Sequence, residues 1–402
     1  MVNRFFRDIQ ILKRMNWLNV VAVGLLVVIG ILFIYSACCM SEEQLMRSLY
    51  KKQMLWAAAG VLCYLSFAAY DYRRFWKISW WVYGTVVLML ILVLFVGTKL
   101  GGAKRWLPLL PQVGLGIQPS ELAKLATIIV LARIMSRPGS DLHHIKYMLI
   151  IMATVLVPMM LVIKEPDLGT ALIFVPLTFI MMFIGGISLR ILGVLSLVGV
   201  TVVMLFLGAL FLPEQLGMSK ERQQEISNLT GLGEYQQKRI VTFFQPEKDP
   251  LGAGWNKMQS EIAVGSGGAW GKGFKNGRQN ILGFLPRKVA PTDFIYSVIA
   301  EEKGFMGSVV VLSLFGALVV FGMRTACIAR DRMGRFLCVG IITMIFCHVF
   351  INIAMAIGLM PITGLPLPLL SYGGSFMVVT MSALGIVQSV YIRSCPMEQR
   401  FL

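Results

Sequence analysis

Four places in this 402-residue sequence set ionisable side chains beside or inside apolar runs, where such groups are costly and usually have a partner or a task. Asp293 follows Pro291 and Thr292 and directly precedes the apolar run that begins at Phe294. A carboxylate there can cap the first free amides of a helix, or it can act as a general base on a hydroxyl brought to the helix mouth. Residue types alone leave both readings open. Glu301 and Glu302 lie about two turns deeper in the same run, where an unpaired carboxylate is heavily penalised or takes up a proton. They require a buried cation or a wet cavity. At about 1.5 Å per residue, Glu301 stands roughly 12 Å along the helix from Asp293, too far for the carboxylate pair of an inverting glycosidase. No hydrolase dyad is read here.

The second place is Gln118-Pro119-Ser120-Glu121-Leu122-Ala123-Lys124. Proline can open a helix, and Glu121 and Lys124, three residues apart, then share a face and can pair. Such a pair either makes the helix tolerable to its surroundings or holds substrate and gates a cavity. The third is Lys164-Glu165-Pro166-Asp167-Leu168-Gly169-Thr170, a tight turn in which capping of the next helix by Asp167 is favoured over catalysis. The fourth runs from Pro361 through Ser371, Tyr372 and Gly373 to Ser375. Its prolines and glycines break the backbone, which persists at membrane depth only against protein or a water-lined cavity.

The elements that must position these groups are set by composition. Hydrophobic residues make up 57% of the chain and charged residues 14%, with a mean hydropathy of +0.74. A soluble globule is excluded, and a lipid bilayer is the solvent implied. Apolar runs predict helices near 17–37, 54–70, 78–97, 120–135, 147–163, 168–186, 190–212, 294–322, 335–360 and 369–391. The fold class expected is an all-α polytopic membrane protein of about ten transmembrane helices, forming one domain over 1–402. The first run follows a basic head and reads as a retained signal anchor rather than a cleaved signal.

Ten crossings place both termini on one side. Loops on that side carry Arg73, Arg74, Lys77, Arg133, Arg137, Lys146, Arg324, Arg330, Arg332, Arg335 and Arg393, so the positive-inside rule makes it cytoplasmic. The opposite side then holds a long extracytoplasmic loop, 213–293, between the seventh and eighth helices. Its Gly-rich centre, Gly265 to Gly273, reads as irregular, and a loop of this length is commonly functional or disordered. The formal charge of +17 is spread over short loops rather than gathered into a patch, so nucleic acid is not an expected partner. With three histidines and no P-loop, dinucleotide fingerprint, His-rich metal motif or nucleophile elbow, nucleotide-driven transport and zinc chemistry are not indicated. The seven cysteines suggest no disulfide framework.

Taken together and in order, several segments resemble the SEDS family of membrane proteins for shape, elongation, division and sporulation. They are Gly102-Ala103-Lys104-Arg105-Trp106, Gln118 to Lys124, Pro166-Asp167-Leu168-Gly169-Thr170-Ala171, Thr292-Asp293-Phe294-Ile295-Tyr296 and Pro361 to Ser375. The external loop is similar to the elongation branch through Tyr235-Gln236, Asp249 to Gly254, Gln259-Ser260 and Ile262 to Gly268. One departure stands out. Where the family usually reads Leu-Pro-Glu ahead of Thr-Asp-Phe, this chain has Leu285-Pro286-Arg287-Lys288-Val289-Ala290-Pro291, which exchanges an acid for two cations. The stretch Pro213 to Glu234 also looks longer than usual.

The resemblance implies a peptidoglycan glycosyltransferase of the plasma membrane that polymerises lipid II into β-1,4 strands during cell elongation. It would work beside a class B penicillin-binding protein and other elongation-complex membrane proteins. Asp293 then corresponds to the family's essential acid, a base for the attacking 4-hydroxyl. Lys104, Arg105, Arg287 and Lys288 are candidates to meet the diphosphate, as is a divalent cation, Mg or Mn. Trp106 would stack on a sugar or anchor its loop at the interface. Glu121 and Lys124 would bind substrate, while Glu301, Ser371 and Gly373 would shape the cavity. Two rival readings are a lipid II flippase with Glu121, Lys124, Glu301 and Glu302 along a polar path, and a scaffold that only recruits the crosslinking enzyme.

Overall fold

The computed structural model describes residues 14–39, 43–100, 103–110, 115–137, 144–229, 233–250 and 252–394. The first seven long helices are α1 (Trp17–Cys38), α2 (Leu49–Ala69), α3 (Phe75–Val96), α4 (Pro119–Ser136), α5 (Ile145–Lys164), α6 (Leu168–Ile184) and α7 (Leu189–Gln215). A connection follows that contains α8 (Lys220–Leu229), α9 (Glu234–Phe244) and α10 (Ala253–Ser266). The chain then completes the bundle with α11 (Ile295–Ile328), α12 (Arg332–Ala356) and α13 (Gly374–Ser394). Each of the ten expected helices has its counterpart. Seven are long and apolar enough to cross a membrane by length and composition. The other three fall short for local reasons: α4 carries Glu121, Lys124 and Arg133, α6 has only 17 residues, and Lys52 and Gln53 dilute α2.

The first and last long helices meet. The side-chain amide of Gln388 in α13 donates to the Asn16 carbonyl at 3.1 Å and accepts from the Asn16 amide at 3.3 Å, so α1 begins where α13 finishes. Residues 1–13 and 395–402 lie outside those described. At the centre, α12 and α13 are buried on nearly all sides, and small residues let backbones approach, as membrane helices without a hydrophobic driving force require. A Cβ on Gly385 would stand 2.5 Å from the Tyr64 carbonyl, and one on Gly30 2.6 Å from that of Leu369. By contrast, the apolar window of α7 has none of its residues buried inside the protein.

Two expectations need correction. The fold is not purely helical: β1 (Thr98–Leu100), β2 (Ala103–Leu110) and β3 (Leu115–Ile117) form an antiparallel sheet in the order β1-β2-β3, pairing Thr98 with Trp106 and Leu107 with Ile117. Pro108, Pro111 and the closely spaced glycines of this segment disfavour a helix, and a sheet satisfies the backbone instead. Nor is the 213–293 connection without regular structure, since α8, α9 and α10 occupy much of it, while its Gly-rich centre is irregular from Gly267 to Gly273, as expected. These helices are short and polar, and so lack the long apolar signature of the bundle.

The Gly-rich centre has a structural reason of its own. Gly304 interrupts α11 at φ +63, and the connection repairs the break: Phe305 and Met306 amides donate to the Gly268 and Ala269 carbonyls at 2.8 and 3.1 Å, while Lys272 and Gly273 amides donate to the Glu301 and Glu302 carbonyls at 3.0 Å each. A Cβ on Gly267 would fall 2.0 Å from the Ala300 carbonyl. Here glycine serves close backbone approach rather than looseness.

Candidate active site

Asp293 sits two residues before α11, yet it caps nothing: the N-cap position is Phe294, and no side chain bonds the first amides. Its backbone is fixed instead by neighbours distant in sequence. The Asn352 side chain donates to the Asp293 carbonyl at 2.8 Å and to the Leu365 carbonyl at 2.7 Å, tying α12 to both loops. Ser371 donates to the Thr292 carbonyl at 2.5 Å and accepts from the Leu367 amide at 2.8 Å, and the Tyr372 amide reaches the Pro291 carbonyl at 2.8 Å. Gln53 of α2 then grips the same segment, donating to the Ser371 carbonyl and accepting from the Gly373 amide, each at 3.2 Å. The Pro- and Gly-broken stretch 361–375 is thereby a rigid cradle for Asp293.

Above this cradle opens a cavity of about 640 Å³, whose charged lining is Arg105, Lys238, Arg239, Asp249 and Asp293. Trp106, Tyr372 and Phe376 supply its aromatic wall, and Gly373 also lines it. Lys238 pairs with Asp249 at 3.4 Å, and Asp249 accepts the Ala253 amide at 2.8 Å. Gly364, at φ +74, brings its backbone between the two decisive groups: a Cβ there would lie 3.3 Å from Arg239 Nη1 and 3.5 Å from Asp293 Oδ2. Burial pushes the Asp293 carboxyl above its ordinary range, while Arg239, Thr292 and Arg105 pull it back down.

Arg105 is held by the turn between α5 and α6. It donates to the Glu165 carbonyl at 3.2 Å and to the Pro166 carbonyl, and lies 4.0 Å from Asp167. Asp167 itself caps α6, accepting the Thr170 amide at 3.3 Å, and also receives Gln118, Ser120 and the Thr170 hydroxyl. Two acids in similar sequence settings thus divide their work: Asp167 is spent on structure, and Asp293 faces open space.

The remaining candidates are placed elsewhere. Glu121 and Lys124 pair at 2.8 Å with almost no exposure, and Lys124 also donates to His348 Nε2 at 2.6 Å. Because an ammonium only donates, that nitrogen is the acceptor. The group lies behind the cavity wall, with the His348 ring 5.0 Å from Phe376. Glu301 accepts from Lys272 at 2.7 Å and from the Gln279 amide at 3.1 Å, and Glu302 accepts from Ser36 at 2.5 Å and the Lys275 amide at 3.0 Å; these acids lock the connection onto α11. Arg287 folds back on its own turn near Gly283 and, like the exposed Lys288, is not part of the cavity lining. Lys104 lies on β2, and its side chain falls outside the described residues. Arg239, Lys238, Asn352 and Gln53 were not legible as site residues. The adjacent cations on the amphipathic α9 were the only hint.

For a divalent cation the donor set is thin. Among the described residues no three His, Cys, Asp or Glu side chains converge, Asp249 is engaged by Lys238, and Asp293 alone is offered to the cavity. These residues do not by themselves build a Mg or Mn cage.

Comparison with known proteins identifies the family. The FtsW/RodA/SpoVE family profile, described as "Cell cycle protein", matches residues 16–394. The chain is 35% identical to the peptidoglycan glycosyltransferase RodA of Treponema pallidum over 91% of its own length and 94% of the relative's. It is 37% identical to the peptidoglycan glycosyltransferase MrdB of Escherichia coli K12 over 77% of each chain. Among solved structures, the rod shape determining protein RodA of Thermus thermophilus superposes with a TM-score of 0.64 at 26% identity, covering 95% of this chain and 98% of that one. A chain from a peptidoglycan synthase complex, described as structurally coordinating polymerization and crosslinking, superposes with a TM-score of 0.73 at 28% identity, over 94% and 98%. On the family match and these relatives, the chain is a multi-pass membrane protein that belongs to the FtsW/RodA/SpoVE family.

Proposed function

We propose that this protein is a peptidoglycan glycosyltransferase that joins the disaccharides of lipid II into β-1,4 glycan strands at the outer face of the bacterial plasma membrane during cell elongation. The observation that carries the reading is a carboxylate, Asp293, that caps no helix and faces a cavity beside the cations Arg239 and Arg105. The acceptor 4-hydroxyl gives its proton to Asp293 as its oxygen attacks the donor's anomeric carbon. The bond to the diphosphate breaks on the opposite face and the leaving group takes the electron pair, so an α-linked donor yields a β linkage. Arg239 and Arg105 meet the charge that grows on the diphosphate, held in place before the reaction begins.

The cavity end of the bundle is assigned to the outside because the arginines at helix ends, including Arg133, Arg137, Arg332 and Arg393, collect away from it, at the end where α1 begins and α13 finishes. Both chain ends are then cytoplasmic. A class B penicillin-binding protein is the partner we assign, supported by the likeness to a chain from a complex that couples polymerization to crosslinking. Against a flippase, Glu121, Lys124, Glu301 and Glu302 are engaged in packed ion pairs and hydrogen bonds rather than strung along a path.

The test is polymerisation of labelled lipid II by the purified protein with its partner, comparing Asp293→Ala with the unmutated chain at equal folded yield. Strands from the unmutated protein alone support Asp293 as the base. Equal strands from both remove it from the mechanism, and no strands from either, with lipid II flipping retained in liposomes, favour transport.

A further inference from the structure

A second cavity, of about 340 Å³, lies where α3, α4 and α5 meet. We infer that it binds one anionic phospholipid, its phosphodiester between Arg133 and Arg137 and an acyl chain along Ile134 and Ile150.

The position follows from α4 itself. Gln118, its N-cap, lines the Asp293 cavity, whereas Arg133 occupies its last turn and Arg137 its C-cap. Fifteen to nineteen residues at about 1.5 Å each separate the two cavities by roughly 25 Å, close to the hydrocarbon thickness of a bilayer. The second cavity is therefore at the opposite membrane surface. Trp76 and Trp80 from the start of α3 and Tyr147 from the start of α5 wall it, the amphipathic rings that settle at headgroup level.

Its chemistry selects an anion. Two guanidinium groups and no carboxylate line it among the described residues. Arg133 is already oriented: Nη1 donates to the buried Ser79 hydroxyl at 3.0 Å, and the guanidinium sits 5.5 Å over the Trp76 ring. A planar guanidinium held in that way presents its other edge as a fork for phosphate oxygens. Cations at the end of α4 also complement the helix dipole. That accounts for their charge, but not for three aromatic rings and an aliphatic floor arranged around a void. A zwitterionic headgroup would bring a further cation against the two arginines, whereas phosphatidylglycerol brings a net negative charge.

Native mass spectrometry of the detergent-solubilised protein tests this, with phosphatidylglycerol and phosphatidylcholine of matched chains as probes. Phosphatidylglycerol is expected to be retained about tenfold more strongly, and Arg133→Gln/Arg137→Gln to erase most of that preference, in line with the usual contribution of basic residues near a lipid surface. Ile150→Trp keeps both arginines and fills the void, so it should lose lipid retention without loss of charge, and it decides the matter if the double variant does not fold. Equal retention of the two lipids, unchanged retention in either folded variant, or displacement of the lipid by millimolar inorganic phosphate alone would overturn the assignment.

Discussion

Arg239 and Asp293 flank a single backbone position: Gly364, at φ +74, leaves no room for a methyl group without touching both. Residues 54 positions apart in sequence are thereby set on one wall of the cavity, the cation on α9 and the acid at the mouth of α11. The arrangement determines how activity should depend on pH. The base works ionised, burial raises its affinity for a proton, and Arg239 is the first influence that lowers it. Removing Arg239 therefore raises it again. In Arg239→Gln the acid limb of the polymerisation rate profile should move to higher pH, with a loss of roughly tenfold or more near neutrality from the missing diphosphate contact and a deeper loss in acid. Initial rates measured across the pH range check this; a uniform loss with an unmoved limb would leave Arg239 only a charge for the leaving group.

Gly364→Ala tests the same wall without removing a charge. A non-glycine residue at positive φ costs about 1 kcal/mol or more, which should lower the melting temperature by only a few degrees. Displacing the Arg239 guanidinium by a fraction of an ångström, while Asp293 is only touched, should cost more in rate, about tenfold. Melting curves and rates measured on one preparation separate the two. Equal, small effects on both would mean that the cavity tolerates the shift.

The ten helices were legible because a bilayer leaves the backbone few choices and marks each span with a long apolar run. The Glu121–Lys124 pair was legible because a spacing of three sets both on one face. His348, which completes it, stands 224 positions away, and nothing local announces it. Asp167 and Asp293 show where sequence stops: each follows a proline closely and precedes an apolar run, yet one meets the amides of its helix and the other does not. That difference is set by Asn352, Ser371 and Gln53 reaching in from other helices and loops. The helices of the 213–293 connection escaped notice because they are short and polar, and each owes its place to packing on a neighbour, α8 on α7, α9 on α10, and α10 on α11 and α12.

The buried Glu121–Lys124–His348 group gives a prediction that separates structure from substrate handling. Lys124→Met leaves Glu121 enclosed and unpaired, which should cost about 3–5 kcal/mol. Glu121→Leu should also destabilise, because it leaves the Lys124 ammonium buried without a counterion and with only its hydrogen bond to His348. The double variant should recover much of the loss, because an apolar pair replaces two charges that then need no partner. Melting temperatures of the four proteins in one detergent give the coupling. Singles that melt normally but fail to polymerise would place the pair in the path of the substrate instead.

Glu165 supplies the last prediction. Its side chain is 1% exposed, and neither carboxyl oxygen has a hydrogen-bond partner. Burial first, then the neighbouring Asp167, push it up to about 8 against the pull of Arg105. In the unfolded chain the same group releases its proton near the ordinary glutamate value of about 4.3, so between these limits the folded protein holds the extra proton. Its contribution is then complete below the ordinary carboxylate range and is lost as pH rises through about 8. Glu165→Gln keeps the shape and removes the titration. The variant should melt with the unmutated protein near pH 4.5 and above it at pH 8, by an amount equivalent to roughly 2–4 kcal/mol at the upper limit. Thermal melts at the two pH values decide it: a constant offset would mean that Glu165 is ionised in the folded state and that the turn beside Arg105 holds a charge after all.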